Sequence, residues 1–77
     1  MTFDAYALGA ILRKRRETLG LSRDTVVNRA NGKICATTIH EIEHGRAPQL
    51  TTLAVICEAL NITLAELFAE AEREAGA

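Results

Sequence analysis

The chain contains no tryptophan, a single proline and only three aromatic residues, so aliphatic side chains must fill its core. Its two cysteines, Cys35 and Cys57, form no Cys-x-x-Cys motif, and this usage fits a reduced cytoplasmic protein better than a disulfide scaffold. No apolar run approaches the roughly 18 residues of a membrane span, and the start lacks the pattern of a secretory signal. We therefore expect a cytoplasmic protein with no membrane segment.

What the chain does contain is helix-forming residues. Its 77 residues give room for one domain, and a hydrophobic share of 48% is enough for a packed core. Frequent Ala, Leu, Glu and Arg, with few alternations of strand type, predict an all-α fold. Within a single domain over 1–77 we expect a helical core over 4–68, a helix-turn-helix over 22–44, and a polar, alanine-rich extension over 69–77 that is either helical or frayed.

Charge is divided unevenly along the chain. Residues 1–46 hold eight basic and five acidic residues, a balance of +3, whereas residues 47–77 hold one basic and five acidic residues, a balance of -4. A positive first part can meet phosphate while the acidic end stays in solvent. This division favours a nucleic-acid partner, although the formal net charge of the whole chain is -1.

The stretch over 21–45 carries two short helix signals around a polar break. Ser22 is a good N-cap for the first helix. The Asn-Gly-Lys sequence at 31–33 interrupts the pattern, because Asn and Gly tolerate the left-handed backbone that ends a helix. A second helix, named here the recognition helix, is predicted from about Ala36 to His44, with Gly45 in the stop position. Two short helices across a compact turn indicate a helix-turn-helix.

Apolar spacing and capping residues predict the other helices. The first runs from about Asp4 to Leu19, the fourth begins with Thr51 as its N-cap, and the fifth begins with a capping box of Thr63 and Glu66. The residues predicted to be buried are Leu8, Ile11, Leu12, Leu19, Val26, Val27, Ala30, Ile34, Ile39, Ile42, Leu53, Ile56, Cys57, Leu60, Leu64, Leu67 and Phe68.

The outer side of the recognition helix offers side chains that can bind base edges in a major groove. Hydroxyls bond to several bases, the Thr methyl packs on the thymine methyl, and Glu accepts from cytosine. The candidate base contacts are Ala36, Thr37, Thr38, His40 and Glu41.

Basic side chains around that helix are candidates for phosphate contacts. Arg23 lies in the first turn of the second helix, where the helix dipole also favours an anion. Arg46 follows the recognition helix closely enough to reach a phosphate. Lys33, in the turn, is either a phosphate contact or a solvated side chain.

Arg16 is turned toward the core by its spacing from Leu12 and Leu19, and a buried arginine needs an acid. Glu43 lies close to the buried side of the recognition helix. We predict a structural ion pair between Arg16 and Glu43 that holds the first helix to the recognition helix.

The region from about Leu8 to Phe68 resembles the lambda-repressor-like, XRE-type helix-turn-helix family. The resemblance is carried by LGAILRKRRETLGLS at 8–22, TIHEIEHGR at 38–46 and PQLTTLAVICEALNITLAELF at 48–68. It implies a five-helix bundle that binds operator DNA, often as a dimer.

The resemblance also implies roles for single positions. The position of Arg23 bonds a phosphate and braces a recognition residue, and the family has an Arg to Glu pair where Arg16 and Glu43 stand. Ala36, Thr37 and Glu41 match base-contacting positions, whereas His44 and Arg46 match positions that contact the DNA backbone.

Three departures from the family pattern bear on the interface. The turn is about two residues longer, with Gly32 and Lys33 as the extra pair. Ala36, Thr37 and Glu41 replace the amide side chains common at base-contacting positions, so the affinity for one half-site is expected to be modest. Arg23 stands where glutamine is usual, which strengthens a phosphate contact and weakens any bracing role.

Residues 40–44 read His-Glu-Ile-Glu-His, a match to the His-Glu-x-x-His motif of zinc metalloproteases. No third ligand follows at a recognised spacing, and 77 residues cannot build a substrate cleft around the motif. We therefore expect no catalysis and no metal cofactor. Adventitious zinc or copper binding by His40 and His44, with or without Cys35, stays open. So does a redox switch at Cys35, because a helix N-terminus lowers a thiol's pKa.

Together these features predict a sequence-specific, double-stranded DNA-binding transcriptional regulator that acts as a repressor. We expect a homodimer on a palindromic or pseudopalindromic operator, with no cofactor and no small-molecule substrate. The alternative is a protein-interaction module, such as an antitoxin or an adaptor, that keeps the fold and uses its acidic last helix for a partner.

Overall fold

Five helices make up the computed structural model, which describes residues 4–75. They are α1 (Ala5–Thr18), α2 (Arg23–Arg29), α3 (Ala36–Glu43), α4 (Leu50–Ala59) and α5 (Leu64–Ala75). Residues 4–75 contain no strand. The all-α, five-helix architecture expected from the sequence is confirmed.

The side-chain caps predicted for α2 and α5 fix where these two helices begin. The Ser22 hydroxyl accepts a hydrogen bond from the backbone N–H of Thr25 at 3.1 Å, which satisfies a donor that the start of α2 would leave unpaired. Thr63 and Glu66 exchange hydrogen bonds at 3.0 and 3.1 Å and form the predicted capping box of α5. Both caps are confirmed.

The predicted start of α4 is wrong. Thr51 was expected as the N-cap, but the helix begins at Leu50 and its N-cap is Gln49, whose side chain makes no capping bond. The Gln49 carbonyl already accepts the first helical hydrogen bond, from the N–H of Leu53 at 2.9 Å. Thr51 therefore lies inside the first turn, where its hydroxyl cannot cap the helix.

One apolar cluster lies between the five helices and contains most of the predicted core. The prediction that Leu19 is buried is wrong, because this residue is 42% exposed. The helix ends at Thr18, and Gly20 takes a left-handed backbone with φ 72°, which turns the chain so that Leu21 packs against the core instead. Three predicted core residues are only partly buried: Val27, Leu64 and Phe68.

The C-terminal extension, predicted to be either helical or frayed, is helical as far as Ala75. The helix continues through this residue, and Ala71 is only 3% exposed, so the segment after Phe68 contributes to the core. The last two residues of the predicted extension, 76 and 77, lie outside the described residues, as do residues 1–3.

α1 packs against both α3 and α5, and its contact with α3 depends on a glycine. A Cβ on Gly9 would collide with the carbonyl oxygen of Ile42 and lie 3.0 Å from the Ile42 carbonyl carbon. The backbones of α1 and α3 thus approach more closely than any larger residue at this position would allow.

The turn between α2 and α3 uses the left-handed backbone that its sequence indicated. Asn31 has φ 54° and Gly32 has φ 71°. Ile34 lies two residues after Gly32, is 6% exposed and anchors the turn on the core. The turn is therefore fixed to the domain.

No single helix among residues 4–75 is long and apolar enough to cross a membrane. Leu50–Ala59 and Leu64–Glu74 reach the required length and hydropathy only as a pair, and that pair is bent by 100°.

Candidate nucleic-acid interface

The two sides of α3 differ sharply in exposure. Ile39 and Ile42 are each 2% exposed and face the core, as their spacing of three predicted. The candidate base contacts Thr37, His40 and Glu41 are exposed. Ala36 and Thr38 are half-buried at the flanks. The helix therefore presents a continuous outer stripe of mostly polar side chains.

A cleft of about 520 Å³ lies on one flank of this stripe. Arg23, from the first turn of α2, lines it together with Ala36, Thr37 and His40 of α3. Ser22, the N-cap of α2, lines the same cleft. The structure thus brings one predicted phosphate contact beside three predicted base contacts.

A second cleft, of about 370 Å³, lies on the other flank of α3. Lys33 from the turn and Arg46 from the loop after α3 both line it, together with Thr38 and Ile42 of α3. The two clefts share no lining residue. Cationic side chains therefore border the recognition helix on both flanks.

Glu43 joins three helices at the buried side of α3. Arg16 of α1 donates from Nε to Glu43 Oε2 at 2.7 Å and from Nη2 to Oε1 at 3.1 Å, which is a bidentate pair. Its Nη1 donates to the carbonyl oxygen of Leu21 at 2.8 Å. The ion pair predicted between Arg16 and Glu43 is present in the structure.

A second arginine on Glu43 is a contact that the sequence analysis missed. Arg23 donates to Glu43 Oε1 from Nε at 3.1 Å and from Nη2 at 2.8 Å. Its side chain is 30% exposed, whereas that of Glu43 is 3% exposed. Arg23 therefore does brace α3, but through Glu43 on the buried side and not through a base-contacting residue. No feature of the sequence around Arg23 indicated this contact.

This network holds Glu43 ionised. Burial by itself would raise the pKa of the Glu43 carboxyl, but the hydrogen bonds from Arg16 and Arg23 outweigh burial and keep the pKa below its ordinary value of 4.5. The hydrogen bond to Glu43 likewise raises the pKa of Arg16. One carboxylate faces two guanidinium groups, so the network itself carries a net charge of +1, and the exposed carboxylate of Asp24 lines the same cleft as Arg23.

Glu41 and Arg46 contact each other on the exposed side. Arg46 Nη1 donates to Glu41 Oε1 at 3.0 Å, and the side chains are 56% and 47% exposed. A predicted base contact and a predicted phosphate contact are thus already paired before any ligand is bound. Solvent and salt weaken such a pair, so DNA can replace it at little cost.

His44, the C-cap of α3, has a fixed tautomer when it is neutral. Its Nδ1 lies 2.7 Å from the carbonyl oxygen of His40. Because a carbonyl oxygen only accepts, Nδ1 carries the proton and Nε2 presents a lone pair. Neutral His44 can therefore accept a hydrogen bond through Nε2, but it donates one to a phosphate only when it is protonated.

Cys35 lies at the N-cap of α3, exposed, with Sγ 3.1 Å from the hydroxyl oxygen of Thr38. That hydrogen bond lowers the pKa of the Cys35 thiol. Burial raises the pKa of Cys57 to about 11, as expected for a small core residue. In the described part of the chain, no three His, Cys, Asp or Glu side chains are grouped so that they could hold a metal ion.

A short exposed helix with polar side chains along its outer face, and with cations on both flanks, is what a DNA-binding transcriptional regulator of the helix-turn-helix class places in a groove. The sequence profile of the helix-turn-helix domain family matches residues 7–71, and the chain belongs to this family.

Solved structures share the fold over nearly the whole chain. The wild-type restriction-modification controller protein C.Esp1396I has a TM-score of 0.81 at 20% identity, with 97% of this chain and 96% of that chain covered. The clp gene regulator ClgR from Corynebacterium glutamicum gives a TM-score of 0.77 at 28% identity, with coverages of 91% and 90%. A second ClgR structure gives 0.81 at 26% identity, with coverages of 94% and 76%. No match is found among curated protein sequences.

Proposed function

We propose that this regulator is sequence-specific and represses transcription by placing α3 in the major groove of double-stranded operator DNA. The observation that carries the proposal is the outer stripe of α3 with basic side chains on each flank, Arg23 on one and Lys33 with Arg46 on the other. A major groove about 12 Å wide admits one α-helix and has a phosphate strand along each side. Cations on both flanks of the helix match the positions of those two strands.

In this arrangement the outer side of α3 selects the sequence. Thr37, Thr38 and His40 have donor or acceptor groups for base edges, Glu41 accepts from cytosine, and the small side chain of Ala36 permits close approach. Arg23 acts at one phosphate strand while Lys33 and Arg46 act at the other, and these contacts fix the position of the helix without selecting sequence. His44 joins the phosphate contacts in its protonated form.

Arg23 is suited to hold a phosphate without leaving Glu43. The hydrogen bonds found among residues 4–75 use its Nε and Nη2 but not its Nη1. Guanidinium has five donors in a rigid fork, so one edge can stay on Glu43 while the remaining donors bind a phosphate oxygen. DNA binding would then be coupled to the ion pairs that hold α3.

We further propose that the protein acts as a homodimer in the cytoplasm, without a cofactor and without catalysis. A recognition helix of eight residues contacts few base pairs, so two copies on a palindromic or pseudopalindromic operator are needed for a specific site. The names of the related structures support a regulatory role, because one is a restriction-modification controller and the other a clp gene regulator.

In vitro selection from random duplexes tests the proposal most directly. We expect enrichment of a palindromic sequence whose binding constant falls with salt, with a slope of about -0.9 in log K against log salt for each phosphate neutralised. A scrambled duplex of equal length serves as the control for non-specific binding. Equal affinity for both duplexes would contradict sequence-specific binding.

A pull-down experiment with the same protein distinguishes the alternative function, the protein-interaction module, from the proposed one. A pull-down from host lysate that retains a stable protein partner and no DNA, together with a failed selection, would favour the interaction module over the operator-binding repressor.

A further inference from the structure

The two histidines of the His-Glu-Ile-Glu-His motif contact each other, and their proposed roles as separate DNA contacts do not explain this pairing. His40 and His44 are four positions apart, which places them one above the other on one helix face. Their ring centroids lie 4.1 Å apart with an interplanar angle of 32°. Both residues are exposed.

The hydrogen bond inside this pair prepares His44 to bind a metal ion. Its Nδ1–H is held by the carbonyl oxygen of His40, so the lone pair of Nε2 is free to coordinate. Histidine ligands in metal sites usually donate their other ring N–H to a carbonyl or carboxylate, which fixes the tautomer and the ring orientation. Two histidines four positions apart on one helix face can place their ring nitrogens about 2.0–2.1 Å from one ion. The hydrogen bond to the His40 carbonyl reduces the side-chain entropy that His44 loses on chelation.

The glutamates of the motif have other partners. Glu41 is paired with Arg46, and Glu43 is buried between Arg16 and Arg23. Neither carboxylate is arranged as a general base or as a third ligand, so the metalloprotease interpretation does not fit. Two imidazole ligands with the other positions open to water make an exchangeable surface site, in contrast to a closed structural one.

We propose that His40 and His44 form a bidentate site for a divalent transition-metal ion on the outer face of the recognition helix. Imidazole nitrogen suits Cu²⁺, Ni²⁺ and Zn²⁺, with Cu²⁺ bound most tightly, whereas Mg²⁺ and Ca²⁺ prefer oxygen ligands. The site requires neutral rings, because the metal ion binds the lone pair of an imidazole nitrogen.

Calorimetric titration of the full chain with zinc chloride or nickel chloride, near neutral pH, tests the site without DNA. We expect one ion per chain, and His40→Gln and His44→Gln should each lower the affinity by at least about tenfold, because even changes outside the first ligands have effects of that size. Cys35→Ser is the matched control and should bind like the parent. Magnesium chloride should give no binding.

Several results would overturn the site: no heat of binding, a single histidine variant with the affinity of the parent, or a loss of binding in Cys35→Ser. Circular dichroism of each variant checks that the helices are intact. Both substitutions lie on the exposed side of α3, so we expect the fold to be unchanged.

A consequence for regulation rests on the proposed function. If His40 and His44 contact DNA, metal and operator compete for the same ring nitrogens, and each lowers the affinity for the other by the same factor. Saturating zinc should then weaken operator binding by the parent, and the His40→Gln/His44→Gln double variant should be insensitive. If zinc binds the free chain but leaves operator affinity unchanged, the two histidines do not contact DNA. The proposed metal site would still stand. A failed operator selection would count against the proposed function alone.

Discussion

Glu41 and Glu43 stand two residues apart on α3, yet the two sides of the helix use them in opposite ways. Glu43 is buried and accepts four hydrogen bonds from Arg16 and Arg23. Glu41 is exposed and holds a single arginine, Arg46. The comparison separates two tasks that one short helix performs: the buried carboxylate fixes where the helix lies, and the exposed one belongs to the surface that meets a ligand.

Removal of the buried carboxylate should have the largest effect. In Glu43→Ala two arginines lose their partner, one of them buried, and we expect the free energy of unfolding to fall by about 3–5 kcal/mol. The matched variant Glu41→Ala breaks only an exposed pair and should change it by about 0.5 kcal/mol or less. Urea denaturation of both variants measures the difference. Equal losses would mean that the two sides of α3 do not differ in this way.

The close approach of the α1 backbone to the buried side of α3 can be tested by adding a single methyl group at Gly9. In an exposed helix position Gly→Ala stabilises by about 1 kcal/mol. In Gly9→Ala the added Cβ meets the Ile42 carbonyl, so we expect a destabilisation of about 1–3 kcal/mol. Ala10→Gly, at an exposed position on the same helix, measures the propensity effect alone. A Gly9→Ala protein that melts above the parent would show that α1 and α3 can separate freely.

Substitutions on the exposed side should change DNA binding and leave stability nearly unchanged. Thr37→Ala should weaken binding to the preferred operator by about 1–3 kcal/mol and leave a scrambled duplex unaffected. Arg46→Ala should weaken both duplexes and reduce the salt slope by about 0.9. Arg73→Ala, on α5, removes the same charge away from the interface and serves as the control. Fluorescence anisotropy on both duplexes gives all three values.

Acid should lower the stability of the protein by protonating the buried carboxylate of Glu43. Because the pKa of Glu43 is lowered in the folded protein, its contribution to stability is complete above the ordinary value of 4.5 and is lost as pH falls through the folded-state pKa. We expect the free energy of unfolding to decrease below pH 4.5 in the parent. The slope should be shallower in Glu43→Gln and unchanged in Glu41→Gln. Parallel slopes for all three proteins would remove Glu43 as the source of acid sensitivity.

Local signals in the sequence predicted most of the helix boundaries. Ser22, Thr63 with Glu66, and the left-handed Asn31 and Gly32 each act within a few residues, so their effect can be predicted without the rest of the fold. The predicted start of α4 was wrong. Threonine is a frequent N-cap, but here the backbone enters the helix before Thr51. Leu19 was wrong because helical periodicity was extended one residue past the end of α1.

Features that depend on contacts between different helices were harder to predict. The pairing of Arg16 with Glu43 could be predicted, since both residues lie near the buried faces of their helices. Arg23 is the second arginine on the same carboxylate, and nothing in its own segment indicates this contact. Gly9 was missed for a similar reason, because hydrophobic periodicity describes side chains and says nothing of how closely two backbones approach. The roles of single residues at DNA remain predictions.

The shared carboxylate at Glu43 has a consequence for motion within the folded protein. An isolated helix of eight residues is marginal in water, so α3 depends on its neighbours to stay helical. Since Glu43 is bonded to both α1 and α2, α3 cannot unwind or swing away without breaking its ties to both helices at once. The hydrogen-bonded backbone amides of α3, from Ile39 onward, should therefore exchange with deuterium only when the whole domain opens, and the surface offered to DNA stays rigid even though it lies on a short segment between two loops.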